Sequence, residues 1–356
     1  MKTATFENLS RTMFPFSRCS LSLVAWLGVC VLALPTHAST LQGGVPTSAR
    51  SNALGGHGLF GDIVDLYTYP QAALGHTGTG QLNVDRGVLN GSALVVLGGK
   101  ENAYAASIYT TDQAPATIAH VHWARPMGDN RLGVSLLLAV SGTHPGLDVS
   151  YPSKTGFGLG VGYSLGQTEL GLSFTTNDNS AHCQLDPAID PNCVDDEEDS
   201  QVVLRLDARS LGNGTDGLTF GWTASVGFLG EAIGPNSLVH TDVRGGYGPV
   251  FRKNGAMAAL QAVVGFTRTV IDPTENKAAV TAAEDGQDNT YINLFTVPGV
   301  ELAGEFPVAD WLTLRASTGY QFLVTMQETE VIQQTTQGAG TPSWAAGAGF
   351  HFDNLD

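Results

Sequence analysis

The sequence predicts an all-β chain, a closed antiparallel transmembrane β-barrel of about fourteen strands with an N-terminal hatch or plug segment. Three observations point there. The first is alternation. In residues 217–228, GLTFGWTASVGF, Leu218, Phe220, Trp222, Ala224, Val226 and Phe228 share one parity, while glycines, threonines and Ser225 share the other. A strand sends alternate side chains to opposite faces, so one face is bulky and apolar and the other small and polar. A soluble sheet turns the apolar face to its core, whereas a membrane barrel turns it to lipid. The second observation is composition. Only 14% of residues are charged and 44 are glycine, yet mean hydropathy is +0.03. Uncharged Gly, Ser and Thr lining a lumen produce that balance. The third is the sorting of connections. Counted from the first strand, even-to-odd connections are short (GKEN, MGDN, GQ, GNGTDG, PVFRKNG, PVADW). The odd-to-even ones tend to be longer and include GTHPGLDVSYPS, residues 178–200, IDPTENKAAVTAAEDGQDN and ETEVIQQTTQGAGTP. Short turns at one end and long loops at the other are how outer-membrane barrels are built, and an even strand count lets the sheet close without an edge.

Taken in order, the segments are 81–87, 92–99, 103–111, 118–126, 131–143, 154–165 and 168–177, then 201–211, 218–231, 237–248, 256–270, 290–306, 312–327 and 343–352. Several alternate with almost no fault. Val202, Leu204 and Leu206 oppose Gln201, Arg205 and Asp207; Phe157, Leu159, Val161, Tyr163 and Leu165 oppose a row of glycines and Ser164. Leu312, Leu314, Ala316, Tyr320, Phe322 and Val324 oppose Thr313, Arg315, Ser317 and Gln321. About 9–11 tilted residues cross a bilayer, and most of these segments reach that length. Phe352, near the end of the last segment, resembles the terminal aromatic by which bacterial barrels are recognised for assembly, set back here by four residues.

Ahead of the strands lies a targeting signal. Lys2, Arg11 and Arg18 form a basic stretch, residues 21–34 (LSLVAWLGVCVLAL) an apolar one, and Thr36 and Ala38 place small residues for cleavage after Ala38. The division expected is therefore 1–38 signal peptide, 39–80 hatch or periplasmic segment, and 81–356 barrel. Val29 before Cys30 argues against a lipoprotein signal. No later stretch approaches the ~20 apolar residues of a membrane helix. Removing residues 1–38 leaves 14 of 17 basic and 32 of 33 acidic residues, a net charge of −18, which argues against a nucleic-acid partner. Cys183 and Cys193, in a polar loop of an exported chain, are expected to form a local disulfide. Their spacing fits no zinc pattern.

Residues 48–75, SARSNALGGHGLFGDIVDLYTYPQAALG, resemble the opening of the FadL-type outer-membrane transporters of long-chain fatty acids and other hydrophobic compounds. The counterparts of that family's R-x-x-A-x-G-G stretch are Arg50, Ala53, Gly55 and Gly56. Asp62 or Asp65, Tyr67 and the Pro70-Gln71-Ala72-Ala73-Leu74 run follow, with Tyr69 where the family has Asn. The resemblance implies that this segment is a hatch inside the barrel past which ligand moves, with Arg50, Gly55, Gly56, Asp62, Asp65, Tyr67 and Pro70 in its path. A periplasmic arm under the barrel is the alternative.

Charged residues on the lumen parity, Arg205, Asp207, Glu301, Glu305 and Arg315, are expected to pair structurally, or else to line a permeation path. The run Asp195, Asp196, Glu197, Glu198 and Asp199 reads as a solvated loop, with a calcium or lipopolysaccharide-bridging site as the sharper alternative. Strand serines sit on the lumen parity, and the scattered histidines form no HExxH, so no enzyme and no cofactor is expected. The expected function is passive uptake of small hydrophobic, fatty-acid-like compounds across a Gram-negative outer membrane. The partners would be outer-membrane lipid and lipopolysaccharide, the ligand, and the barrel-assembly machinery. The alternatives are a general porin for polar solutes, a structural or adhesion barrel, and a soluble secreted β-protein.

Overall fold

The computed structural model describes residues 49–54, 58–84, 91–110, 116–141, 155–178, 200–212, 216–233, 236–272, 290–328 and 333–350. Among the described residues fourteen strands form a single sheet in which every neighbour is the next strand in sequence and every pair is antiparallel. They are β1 (Gly80–Val84), β2 (Gly91–Gly98), β3 (Ala103–Thr110), β4 (Ala116–Met127), β5 (Asn130–Ser141), β6 (Thr155–Leu165) and β7 (Thr168–Asp178). The second half comprises β8 (Ser200–Ser210), β9 (Gly217–Ile233), β10 (Asn236–Lys253), β11 (Ala256–Asp272), β12 (Thr290–Ala309), β13 (Leu312–Glu328) and β14 (Gln333–Phe350). Each matches one predicted segment. Before them come a short helix α1 (Ala49–Ala53) and two 3-10 helices, Ile63–Tyr67 and Pro70–Gly75. The signal segment 1–38 lies outside the described residues.

The short even-to-odd turns are present as predicted at Gly128-Asp129, Gly166-Gln167, Asn254-Gly255 and Asp310-Trp311. Asn254 and Gly255 both have positive φ, 51° and 80°. That is the backbone of a two-residue type I′ hairpin and the reason Asn-Gly stands there. Three connections read as long loops, within 142–154, 179–199 and 273–289, lie outside the described residues.

Two boundaries differ most from the sequence reading. Residues 333–342, read as loop, form the first half of β14, where Gln334, Thr335, Thr336 and Gln337 pair with Gln327, Met326, Thr325 and Val324. A strand end with no apolar alternation leaves no periodic signal, and only its neighbour's ladder reveals it. β10 runs on to Lys253 through Pro249, which pairs with Phe220 of β9. The ladder to β11 skips from Tyr247 to Val250. Proline has no N–H to give, so it sits where that ladder is interrupted.

The two faces of the sheet are opposite in character. On β8, Leu204 and Leu206 are 45% and 51% exposed, while Asp207 and Arg209 are buried. On β9, Leu218, Phe220, Val226 and Phe228 are exposed, and Gly221 and Gly227 are buried. Ser107, His120, His122, Ser135, Ser164, Asp242, Gln261, Thr296 and Thr313 are buried as well. Water alone would favour the reverse arrangement.

What covers the polar face is the N-terminal segment. Ile63, Leu66, Tyr69, Ala72 and Ala73 pack with Leu94, Val96, Ala103, Ala105 and Ala124 on β2–β4. Leu54, Leu59 and Phe60 pack with Val250, Ala259 and Ala303 on β10–β12. Helix α1 lies against β13 and β14, and Pro70–Gly75 against β3 to β6. In a flat sheet β3 and β11 would stand about 38 Å apart at roughly 4.8 Å per strand. Phe60 and Ile63 are separated by about 10 Å of chain at most. The sheet therefore curls around the segment.

Candidate functional site: the N-terminal segment and the polar sheet face

The segment holds its own shape first. Asp62 caps the 3-10 helix Ile63–Tyr67, with Oδ1 accepting from Ile63 N at 2.7 Å and its own N–H donating to Asp65 Oδ2 at 2.7 Å. The DIVD spelling is thus a reciprocal cap, which satisfies two orphan donors. Burial pushes the Tyr67 and Tyr69 hydroxyls up from their ordinary range and holds the His76 imidazole below its ordinary value. All three are accordingly neutral near pH 7.

Two charged clusters tie the segment to the sheet. In the first, Glu305 of β12 accepts from Arg50 Nε at 2.7 Å and from Arg315 Nε of β13 at 2.6 Å. Arg50 also donates to the Gly61 carbonyl, and its guanidinium lies 4.0 Å from Asp62. In the second, Arg209 of β8 pairs with Asp65 of the segment and Glu169 of β7, each at 2.7 Å. It lies over the Tyr69 ring at 4.4 Å and donates to the Gly58 carbonyl at 3.4 Å. One buried guanidinium thus grips the segment through a carboxylate, a ring and a backbone oxygen.

Of the five charged residues expected on the lumen parity, four form ion pairs, in two separate groups, and Glu301 bonds a neutral amide. Arg205 and Asp207 form a bidentate pair along β8, with contacts of 2.7–3.0 Å. Glu301 accepts from Gln321 at 3.0 Å, and Arg315 joins the Glu305 cluster. Of the hatch candidates, Arg50, Asp62, Asp65, Tyr67 and Pro70 all lie in the segment against the sheet, while Gly55 and Gly56 are outside the described residues. Cys183, Cys193 and the acidic run Asp195, Asp196, Glu197, Glu198 and Asp199 are outside them too. Arg209 and Glu169 were missed. The signal existed: in RLDAR, Arg209 shares the inward parity of Arg205 and Asp207.

The glycine row predicted on the polar parity has a structural reason. A Cβ at Gly162 would overlap the Gln71 side chain and stand 2.8 Å from Pro70 Cδ. Gly133 and Gly171 face the Gln71 and Thr68 backbones in the same way. The sheet is bare where the segment presses on it. Gly162→Val is expected to displace Pro70–Gly75 while leaving the strands intact. Limited proteolysis should then cut the segment in the variant, and not in the wild type, at unchanged far-UV circular dichroism.

Beside Tyr67 lies an aromatic group on β3 and β4. The Tyr67 ring meets Tyr109, His120 and His122 edge-on at centroid distances of 5.9, 5.0 and 5.6 Å. Among the described residues, no cluster of three or more His, Cys, Asp or Glu residues is placed to hold a metal ion. Comparison with protein-family models, with curated proteins and with solved structures returns no match. The fold alone defines the class: an all-β chain of sequential antiparallel strands in one sheet, apolar on one face and polar on the other, with the N-terminal segment packed against the polar face.

Proposed function

We propose that the chain is an outer-membrane β-barrel, closed by pairing of β14 with β1, that admits small hydrophobic compounds passively past its N-terminal hatch. The observation that carries this reading is the inverted polarity: exposed Leu, Val and Phe on one face, and buried Arg, Asp, Gln and Ser on the other. Lipid accepts the first, and a lumen filled by the N-terminal segment satisfies the second. The curl demanded by the two packing clusters supports closure.

Aromatic placement adds support. Tyr104, Phe220, Tyr247, Phe251, Phe306, Trp311 and Phe350 are exposed near the short-turn end, and Phe157, Phe174 and Phe228 nearer the other. Two such bands are the girdles of a membrane barrel. Phe220 and Phe228 are eight residues apart on β9, about 26 Å along the strand and about 20 Å along the membrane normal at a tilt near 40°. That approaches the apolar band of such barrels.

Toward the odd-to-even end the inner parity becomes apolar, with Leu229, Leu238, Ile292, Leu294 and Leu323. These residues would receive a hydrophobic solute, which then passes the segment held at Arg209 and Glu305. The FadL-type resemblance of residues 48–75 agrees with that route, and the leader 1–38 agrees with export. The packing of the N-terminal segment along the polar face favours this over an open porin. Planar-bilayer recording together with uptake of a labelled long-chain fatty acid into proteoliposomes tests it. The expected result is uptake without a large steady conductance. A large steady ohmic conductance identifies a porin instead.

A further inference from the structure

We propose that His120 and His122 bind one divalent first-row transition-metal ion beneath Tyr67, a role independent of the transport reading. The two residues are i, i+2 on β4, so both point to the inner face. They are 7% and 3% exposed, and their rings stack with centroids 5.5 Å apart. Three of their four ring nitrogens, His120 Nδ1 and both nitrogens of His122, have no hydrogen-bond partner. Buried polar atoms are nearly always paired, so three orphans at one spot call for a ligand.

The remaining nitrogen specifies the ligand's kind. His120 Nε2 lies 3.3 Å from the Tyr109 hydroxyl. An imidazole anchored at one nitrogen by a second group offers the other to a metal, the usual arrangement around a coordinated histidine. With metal–nitrogen bonds of about 2.0–2.1 Å, one ion bridges the two rings once they turn from the stacked pose so that an in-plane nitrogen of each points at it. Among the described residues no carboxylate or thiolate contacts the pair, so the remaining ligands would be water oxygens. Imidazole with neutral oxygen ligands selects Cu(II) first and Zn(II) after it, and disfavours Mg(II) and Ca(II).

The test is Cu(II) titration of the purified full mature chain in detergent, followed by electron paramagnetic resonance after passage over a weak chelating resin. One equivalent should be retained, with hyperfine splitting from two imidazole nitrogens. His120→Gln and His122→Gln should each weaken binding by about tenfold to hundredfold or more, while His240→Gln on β10 leaves it unchanged. The wild-type spectrum decides the matter even where a variant misfolds. No retained ion, or a signal with fewer than two nitrogens, overturns the proposal, as does binding that survives both substitutions.

Discussion

Arg209→Ala is expected to release the N-terminal segment and, in the barrel proposed above, to open a conducting path. The side chain is almost wholly buried and carries contacts to Asp65, Glu169, Tyr69 and the Gly58 carbonyl. Removing it leaves two carboxylates facing each other with no cation between them. Breaking a buried ion pair from one side costs about 3–5 kcal/mol. The low end, about 3 kcal/mol, applies here because Asp65 and Glu169 keep 18% and 15% side-chain exposure and regain some water. That penalty falls on the docked state and is relieved when Asp65 leaves. Single-channel recording should show frequent long openings in Arg209→Ala, and intermediate behaviour in Arg209→Lys, which keeps the charge but loses the planar fork and the stacking on Tyr69. Unchanged conductance in Arg209→Ala would separate this arginine from any control of the segment.

Ala224→Arg is expected to destabilise the folded protein in lipid by about 2–4 kcal/mol, and Ser225→Arg by clearly less. The residues are neighbours on β9. Ala224 is exposed on the apolar face, midway between Phe220 and Phe228, so in the proposed barrel an arginine there would sit near the bilayer midplane. Ser225 is on the inner parity, opposite Asp207 of β8 and Arg244 of β10. Reversible denaturant unfolding from phospholipid vesicles measures both. Equal costs, or a larger cost at Ser225, would place the apolar face somewhere other than lipid.

How much of this could be read from residues alone follows from what each feature depends on. All fourteen strands were legible because a face pressed against one environment writes a period of two into the chain. Val202, Leu204 and Leu206 against Arg205 and Asp207 suffice to place β8. The first half of β14 was illegible because Gln334 to Gln337 serve no apolar face, and only pairing with β13 makes them a strand. The inward charges were legible by parity, but their partners were not. Arg315 lies with Glu305 and Arg50, residues far apart in sequence, and nothing local announces that meeting. The glycine rows read simply as the small face of a strand. That Gly162 and Gly133 are bare because Gln71 and Pro70 rest on them is a tertiary fact. The histidine pair likewise looked scattered until β4 placed both rings beneath Tyr67.

The outward direction of the bulky parity is measured most directly by site-by-site labelling along β9. Cys183 and Cys193 are first replaced by serine. Single cysteines from 218 to 228 are then tagged with an environment-sensitive fluorophore in vesicles and quenched from either phase. Quenching by brominated lipid should rise at 218, 220, 222, 224, 226 and 228 and vanish between them. Aqueous quenching of the bulky positions, with no alternation along the strand, would contradict a lipid-facing sheet.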